Sequence, residues 1–320
     1  MAQFADHTNF SPYPPLVFND ATAAIIAIQS YTKRLRRSAQ NQLRLGGRQR
    51  DQDHQVEAFT LRPARTTSRP LVLLGGMGPL AGADGFERAC HRFLNTREIV
   101  LLQACSIPDR TRAIKKLVRN PASPVFDLMT NRLGSAVRHA VAQVTSDRGE
   151  IDLIVLCNTS HFFLSKALER CTKHYPEIFT RIRFMSLVAS AVKAISHRGH
   201  KEIMALYTEG TRLCGIYGDA FQAEGLPYSE ANDHLEDLEP LLMRSIYGVK
   251  YYDESAILDG GTGLFNGLCR IEPKFDCILA GCTEIPIIID YLKASGDDAI
   301  KSFLMRVPFI DPVAEALALT

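Results

Sequence analysis

The chain has 320 residues, of which 46% are hydrophobic and 22% charged, and its formal net charge is +2. That length suits two domains of similar size, and the composition excludes disordered, collagen-like and coiled-coil chains. No apolar run reaches the ~18 residues of a spanning helix, and so small a charge gives no reason to expect a nucleic-acid or membrane partner.

The charge is unevenly placed. Residues 1–69 hold ten basic and five acidic side chains, while the remainder carries a net −3. The first fifteen residues hold prolines and an acid but no apolar h-region, so they are no secretory signal. Asp6 and Asp20 also speak against a transit peptide, and a cytoplasmic protein is expected. The eight cysteines are then thiols. Ile25, Ile28, Tyr31 and Leu35 predict a helix over 20–38, capped by Asp20. Lys33, Arg34, Arg36 and Arg37 suit the negative end of its dipole. Residues 40–69 are polar and aperiodic and read as a linker. Residues 1–69 are therefore expected to be a basic extension, dispensable for chemistry.

After Pro70 the texture changes. Leu71–Leu74, Ile99–Leu102 and Ile151–Leu156 are short apolar runs, and helical patterns follow at 80–93, 124–144 and 162–171. Strands apolar on both faces, alternating with helices, mean a buried parallel sheet. The pattern restarts near Arg183, with a strand at 184–187 and a helix over 188–196. A strand at 202–207 and helices at 211–224 and 238–247 follow. Next come a strand at 277–280, a helix from Pro286, a last strand at 307–312 and a closing helix. The expected fold is α/β, with two tandem pseudo-symmetric units, parallel sheets and an active site in the cleft between them. The first unit spans 70–183 and is completed by 308–320; the second spans 184–307.

In such sheets ligands bind beyond the carboxyl ends of the strands, and three ends are unusual. Gly76-Met77-Gly78-Pro79-Leu80-Ala81 has a G-x-G-x-x-A spacing. A dinucleotide site also wants an acid at the end of the next strand. Glu98 stands at that strand's beginning and Gln103 near its end, so the dinucleotide reading is set aside. The glycines still let the backbone approach a small anion. The other two ends are Cys157-Asn158-Thr159-Ser160-His161 and Gly281-Cys282-Thr283-Glu284. Each puts a cysteine after an apolar strand and before a helix, where the dipole favours thiolate. Cys157 and His161 lack the further ligands a metal needs, and no metal is expected. Cys90, Cys105, Cys171, Cys214, Cys269 and Cys277 read as small buried apolar residues. Two thiols across one cleft suit proton removal from one face of a carbon and proton return to the other.

Gly75–Ala81, Ile107-Pro108-Asp109-Arg110-Thr111, Cys157–His161, Gly281–Glu284 and Ile310-Asp311-Pro312 together resemble the motif set of the aspartate/glutamate racemase family, in the family's order and over residues 70–320. The resemblance implies a two-domain pseudo-symmetric fold, no cofactor, no pyridoxal phosphate, no metal and a homodimer. It implies that Cys157 and Cys282 are the acid/base thiols and that Asn158, Thr159 and Thr283 hold the substrate's α-carboxylate and ammonium. Arg110 then matches the side-chain carboxylate, as a guanidinium fork can. Met77, Ser160, Tyr247 and Lys250 complete the substrate-binding set; Ile246–Lys250 is one residue shorter than the family's I-Y-x-x-V-K stretch. The activity implied is interconversion of L- and D-aspartate, with glutamate the nearest competing substrate. A dicarboxylate decarboxylase or cis–trans isomerase, and a non-catalytic binder of acidic amino acids, are the alternatives on the same scaffold.

Overall fold

A computed structural model describes residues 14–44, 57–145 and 149–320. One sheet is built from β1 (Leu16–Phe18), β2 (Glu57–Leu61), β3 (Leu71–Gly75), β4 (Ile99–Gln103), β5 (Ile151–Val155) and β6 (Ile182–Phe184). A second is built from β7 (Ile203–Leu206), β8 (Tyr228–Glu230), β9 (Cys277–Ala280) and β10 (Phe309–Ile310). The helices of the first half are α1 (Ala21–Arg44), α2 (Pro79–Phe93), α3 (Arg110–Arg119), α4 (Val125–Ala142), α5 (His161–His174) and α6 (Pro176–Phe179). The second half adds α7 (Leu187–Arg198), α8 (Glu209–Leu213), α9 (Ile216–Ala223), α10 (Leu238–Tyr251) and α11 (Glu254–Ile271). It ends with α12 (Ile285–Ser295), α13 (Asp298–Arg306) and α14 (Pro312–Ala318). Among the described residues no helix is long and apolar enough to cross a membrane.

The sheet orders are β1-β2-β4-β3-β5-β6 and β10-β9-β7-β8. Strands β3 to β6 thus lie in the order second, first, third, fourth, and β7 to β10 repeat that order. Pairing within both quartets is parallel, with Leu71 opposite Ile99 and Asp152 in the first and Ile203 opposite Tyr228 and Cys277 in the second. The strands β3, β4, β5, β7 and β9 are buried along their whole length. This explains their unbroken apolar runs, because helices cover both faces.

The fourth strand of each unit sends its helix to the other unit. From β6 the chain enters α7, whose Val188, Ala191, Val192 and Ile195 join Ile203, Ala205 and Leu279 of the second sheet in one core. From β10 it enters α14, whose Val313, Ala316 and Leu317 join Leu71, Leu73 and Phe86 of the first unit. The closing helix does complete the first unit. The last strand does not: β10 pairs with β9, in the second sheet. The strand read as opening the second unit is likewise corrected. It is β6, it ends at Phe184, and it pairs with β5, so the first unit extends past residue 183.

The largest correction concerns the extension. Residues 57–61 are a strand, not linker, and Ala58, Phe59, Thr60 and Leu61 are buried. β2 runs antiparallel to β4, with Glu57 opposite Gln103 and Leu61 opposite Ile99, and β1 pairs with β2. The first sheet is therefore mixed, with antiparallel pairing at its edge. The expected helix is present as α1, and it is built in. Ala21, Ala24, Ile28 and Tyr31 pack in the first unit's core, the Tyr31 ring edge-on to Phe59 at 5.1 Å. Further along, Ala39 is buried in the second unit's core, and Arg36 lies over the Tyr291 ring. The helix straddles both units. Of the six cysteines read as buried, Cys90, Cys105 and Cys277 are, while Cys171, Cys214 and Cys269 are partly exposed.

Deleting residues 1–69 is expected to leave a protein that fails to fold cooperatively, because it uncovers β4 and the core around Phe86. A gentler variant, Phe59→Ala, should cost about 3–5 kcal/mol, read by denaturant unfolding. A truncated protein with wild-type unfolding would show the segment to be an appendage.

Candidate active site

Both cysteines sit just beyond the third strand of their parallel quartet. After β5, Cys157 has an extended backbone (φ −162°) and precedes a single 3-10 turn, Asn158–Ser160, that runs into α5. After β9, Cys282 precedes the α12 terminus, where its carbonyl accepts the Ile285 N–H at 3.0 Å. Because the sheets share one topology, these ends are equivalent, and both thiols line one cavity. Met77, Gly78, Arg110, Asn158, Thr159, Lys250, Thr283 and Glu284 line it too. Its free space is about 10 Å³, roughly one water, so an amino acid enters only if the walls move apart.

Each thiol meets different charges. Arg110 is 5% exposed and sets its positive charge beside Cys157. Cys282 Sγ lies 2.9 Å from Glu284 Oε2, and Thr283 Oγ1 lies 3.2 Å from the same oxygen. Burial first, then the Glu284 charge, pushes the Cys282 thiol well above its ordinary pKa, with Lys250 partly opposing them. The expectation of a helix-lowered thiolate at Cys282 is therefore corrected: burial, with the Glu284 carboxylate beside it, outweighs the dipole. Lys250 is raised overall. Burial opposes its charge and Arg110 adds to that, but Glu284, Cys282 and Asp109 outweigh both.

Arg110 is also corrected in part. Its guanidinium does not stand free as a fork for substrate. Nη1 donates to the carbonyls of Ile107 (3.4 Å) and Pro108 (3.0 Å), and Nη2 donates to the Met77 carbonyl. It ties the glycine-rich loop after β3 to the loop before α3. Its Nε–H is buried without a partner, which leaves one donor for an incoming anion.

Glycine is required where the loops meet. Gly76 has φ +87°, and a Cβ there would lie 2.4 Å from the Ala104 nitrogen. At Gly78 a Cβ would fall 2.0 Å from Glu284 Oε1, so that glycine admits the carboxylate that reaches Cys282.

The other expected residues divide into two groups. Asn158 lines the cavity, its Oδ1 accepts the Tyr217 hydroxyl at 2.7 Å, and its buried Nδ2 has no partner. Thr159 Oγ1 is shared with Thr208 and Thr211 of the second unit at 3.1 and 2.8 Å. Ser160 and Tyr247 do not line the cavity. Ser160, fully buried, donates to Met77 Sδ at 3.0 Å, and Tyr247 donates to Asp109 at 3.2 Å beneath the Lys250 ammonium. Both support residues that do line it. Sequence reasoning missed Tyr217, Thr208 and Thr211, which no motif marks. It quoted Glu284 but gave it no role.

His161 braces the first thiol's turn. Its Nδ1 lies 3.0 Å from the Cys157 carbonyl, and its Nε2 accepts the Leu187 N–H at 3.2 Å. Those partners require a neutral ring protonated on Nδ1, and burial pushes its pKa down to about 4.

No family model matches the chain. Among solved structures, it is similar to the aspartate racemase of Picrophilus torridus, with 23% identity and a TM-score of 0.55 over 78% of this chain and 92% of that one. It is similar also to a Yersinia pestis protein assigned as an Asp/Glu racemase, with 18% identity and a TM-score of 0.52 over 79% and 97%. The fold is the one these two racemases have.

Two outcomes follow from the site's scaffolding. The folded pKa of His161 lies below its unfolded value of about 6.5, so the unfolded chain binds more protons between these values. Its contribution is complete above pH ~6.5 and is lost as pH falls towards about 4. His161→Gln should flatten the stability–pH curve in that window, measured by thermal melts; an unchanged slope would mean the ring is not held neutral. Arg110→Lys keeps the charge but loses the carbonyl ties. It should destabilise the protein by about 1–3 kcal/mol, read by denaturant unfolding.

Proposed function

We propose that this protein is a cofactor-independent racemase that interconverts L- and D-aspartate, using Cys157 and Cys282 as its two acid/base groups. The observation that carries this reading is the shared cavity between equivalent strand ends, with one thiol contributed by each unit. A pair so placed addresses opposite faces of one carbon, which is what inversion at a stereocentre needs.

The charges give the thiols starting roles. Cys282, held protonated by burial and Glu284, is the donor. Cys157, beside the Arg110 charge, is the base. As thiolate, Cys157 takes the α-proton from one face, and its electron pair stays on carbon as a carbanion. The Cys282 S–H then gives its proton to the other face. The products are the opposite enantiomer, a Cys157 thiol and a Cys282 thiolate. Turnover of that enantiomer, or proton exchange with solvent, resets the pair.

An amino-acid α-proton is very weakly acidic, so the carbanion needs fixed donors and positive charge in a dry site. The unpartnered Asn158 Nδ2 and Arg110 Nε are buried donors of that kind. Lys250 supplies charge. Because its acidic neighbours hold it protonated, it is ill suited to form a Schiff base, which needs a free amine. That supports chemistry without pyridoxal phosphate.

Chiral chromatography of L-aspartate incubated with the protein tests the activity directly. In heavy water, deuterium should appear first in the newly formed enantiomer, because it comes from the solvent-equilibrated thiol. Cys157→Ala and Cys282→Ala should each abolish racemisation. Any slow deuterium wash-in that survives should favour opposite enantiomers in the two variants. Substantial racemisation by either folded variant would sink the two-base mechanism.

A further inference from the structure

A second, larger cavity adjoins the catalytic one. It is a groove of about 520 Å³ running along the loop before α3 and the first turns of that helix, closed on one side by Lys250 and Tyr251 of α10. Met77, Arg110 and Lys250 line both cavities, so the two share a wall.

The groove's charge is one-sided. Among the described residues, Arg110, Arg112, Lys116, Arg132 and Lys250 line it with one acid, Asp109. That acid is already engaged. Its Oδ1 accepts the Arg112 backbone N–H at 2.8 Å and its Oδ2 accepts the Tyr247 hydroxyl. Two of the five cations carry a buried Nε–H with no partner, Arg110 and Arg132. Buried donors left open and a wall of cations both call for an anion. The volume exceeds the catalytic cavity many times over, while the catalytic cavity admits about one water. A ligand bound for the thiols must therefore arrive from a roomier space, and this one shares its inner wall with the site.

We propose that this groove is an anion-collecting vestibule, in which Arg112 and Lys116 gather dicarboxylates before they pass Arg110 and Lys250 into the cleft. The identity of the ligand as an acidic amino acid rests on the racemase reading. The vestibule itself rests on the groove's volume, its shared wall with the site and its charge. Arg112 and Lys116 are exposed on α3, outside the catalytic machinery, and act by steering.

The test uses the full chain with both groove charges reversed, Arg112→Glu with Lys116→Glu, and a control reversal, Lys293→Glu, on the exposed end of α12. Two readouts are taken, kcat/KM for aspartate as a function of salt and calorimetric binding of succinate. The double variant should lose about tenfold in kcat/KM at low salt, with kcat unchanged. The deficit should close to about twofold near 0.5 M salt, where screening acts within a few ångströms. The control should stay within about twofold throughout. Wild-type kcat/KM in the double variant at low salt, or a fall in kcat alone, overturns the vestibule. If wild type racemises no aspartate, the racemase reading fails, and succinate decides the groove independently. Weaker succinate binding in the double variant but not in Lys293→Glu upholds the vestibule. Equal binding in all three proteins, or none in wild type, overturns it.

Discussion

The structure depends on one constraint: two thiols, 125 positions apart in sequence, must share a cavity. Each hangs from the end of the third strand of a four-strand parallel set, and the sets have the same order. Matching topology makes the ends equivalent, but it does not bring them together. The exchange of α7 and α14 does. Each unit completes its core with a helix fed from the other unit's fourth strand, so separating the units fully would cost both cores. α1, with one end in each core, adds a third tie. Within those ties, polar contacts close the cleft: Thr159 with Thr208 and Thr211, and Tyr217 with Asn158.

Symmetry of position is set against asymmetry of charge. Cys157 faces a guanidinium and Cys282 a carboxylate. Glu284 reaches Cys282 only because Gly78 leaves its side of the loop open. Arg110 reaches Cys157 while tied to three backbone carbonyls, so its place is fixed by the loops themselves. The site's electrostatics thus set charges of opposite sign beside the two thiols, with Lys250 acting on Cys282 as well.

Much of this was legible because buried parallel strands write themselves as unbroken apolar runs. β3, β4, β5, β7 and β9 all carry that signature. β2 does not, since Ala58-Phe59-Thr60-Leu61 is brief and follows a long polar stretch, and only pairing with β4 makes it a strand. α11 was hidden by glycine. Gly260 and its neighbours depress helix propensity, yet a Cβ at Gly260 would lie 2.7 Å from the Leu241 carbonyl, so close packing on α10 selects them. In the site, the cysteines, Arg110 and Asn158 were readable because they stand in compact motifs at strand ends. Tyr217, Thr208 and Thr211 were not, because their meaning arises only when the second unit docks. Ser160 and Tyr247 lie within the motifs but turn away from the cavity to support Met77 and Asp109.

The exchanged helix also orders events at the ribosome. α14 spans residues 312–318 and is made after the strands and helices of the second unit, yet it fills the core beside Leu71, Leu73 and Phe86. The first unit therefore cannot finish folding before the second has been made, although domains usually fold in turn. Its apolar sheet face stays uncovered through synthesis of the whole second unit. Closure of the first core is thus a late step, and until then the nascent chain is a target for chaperones.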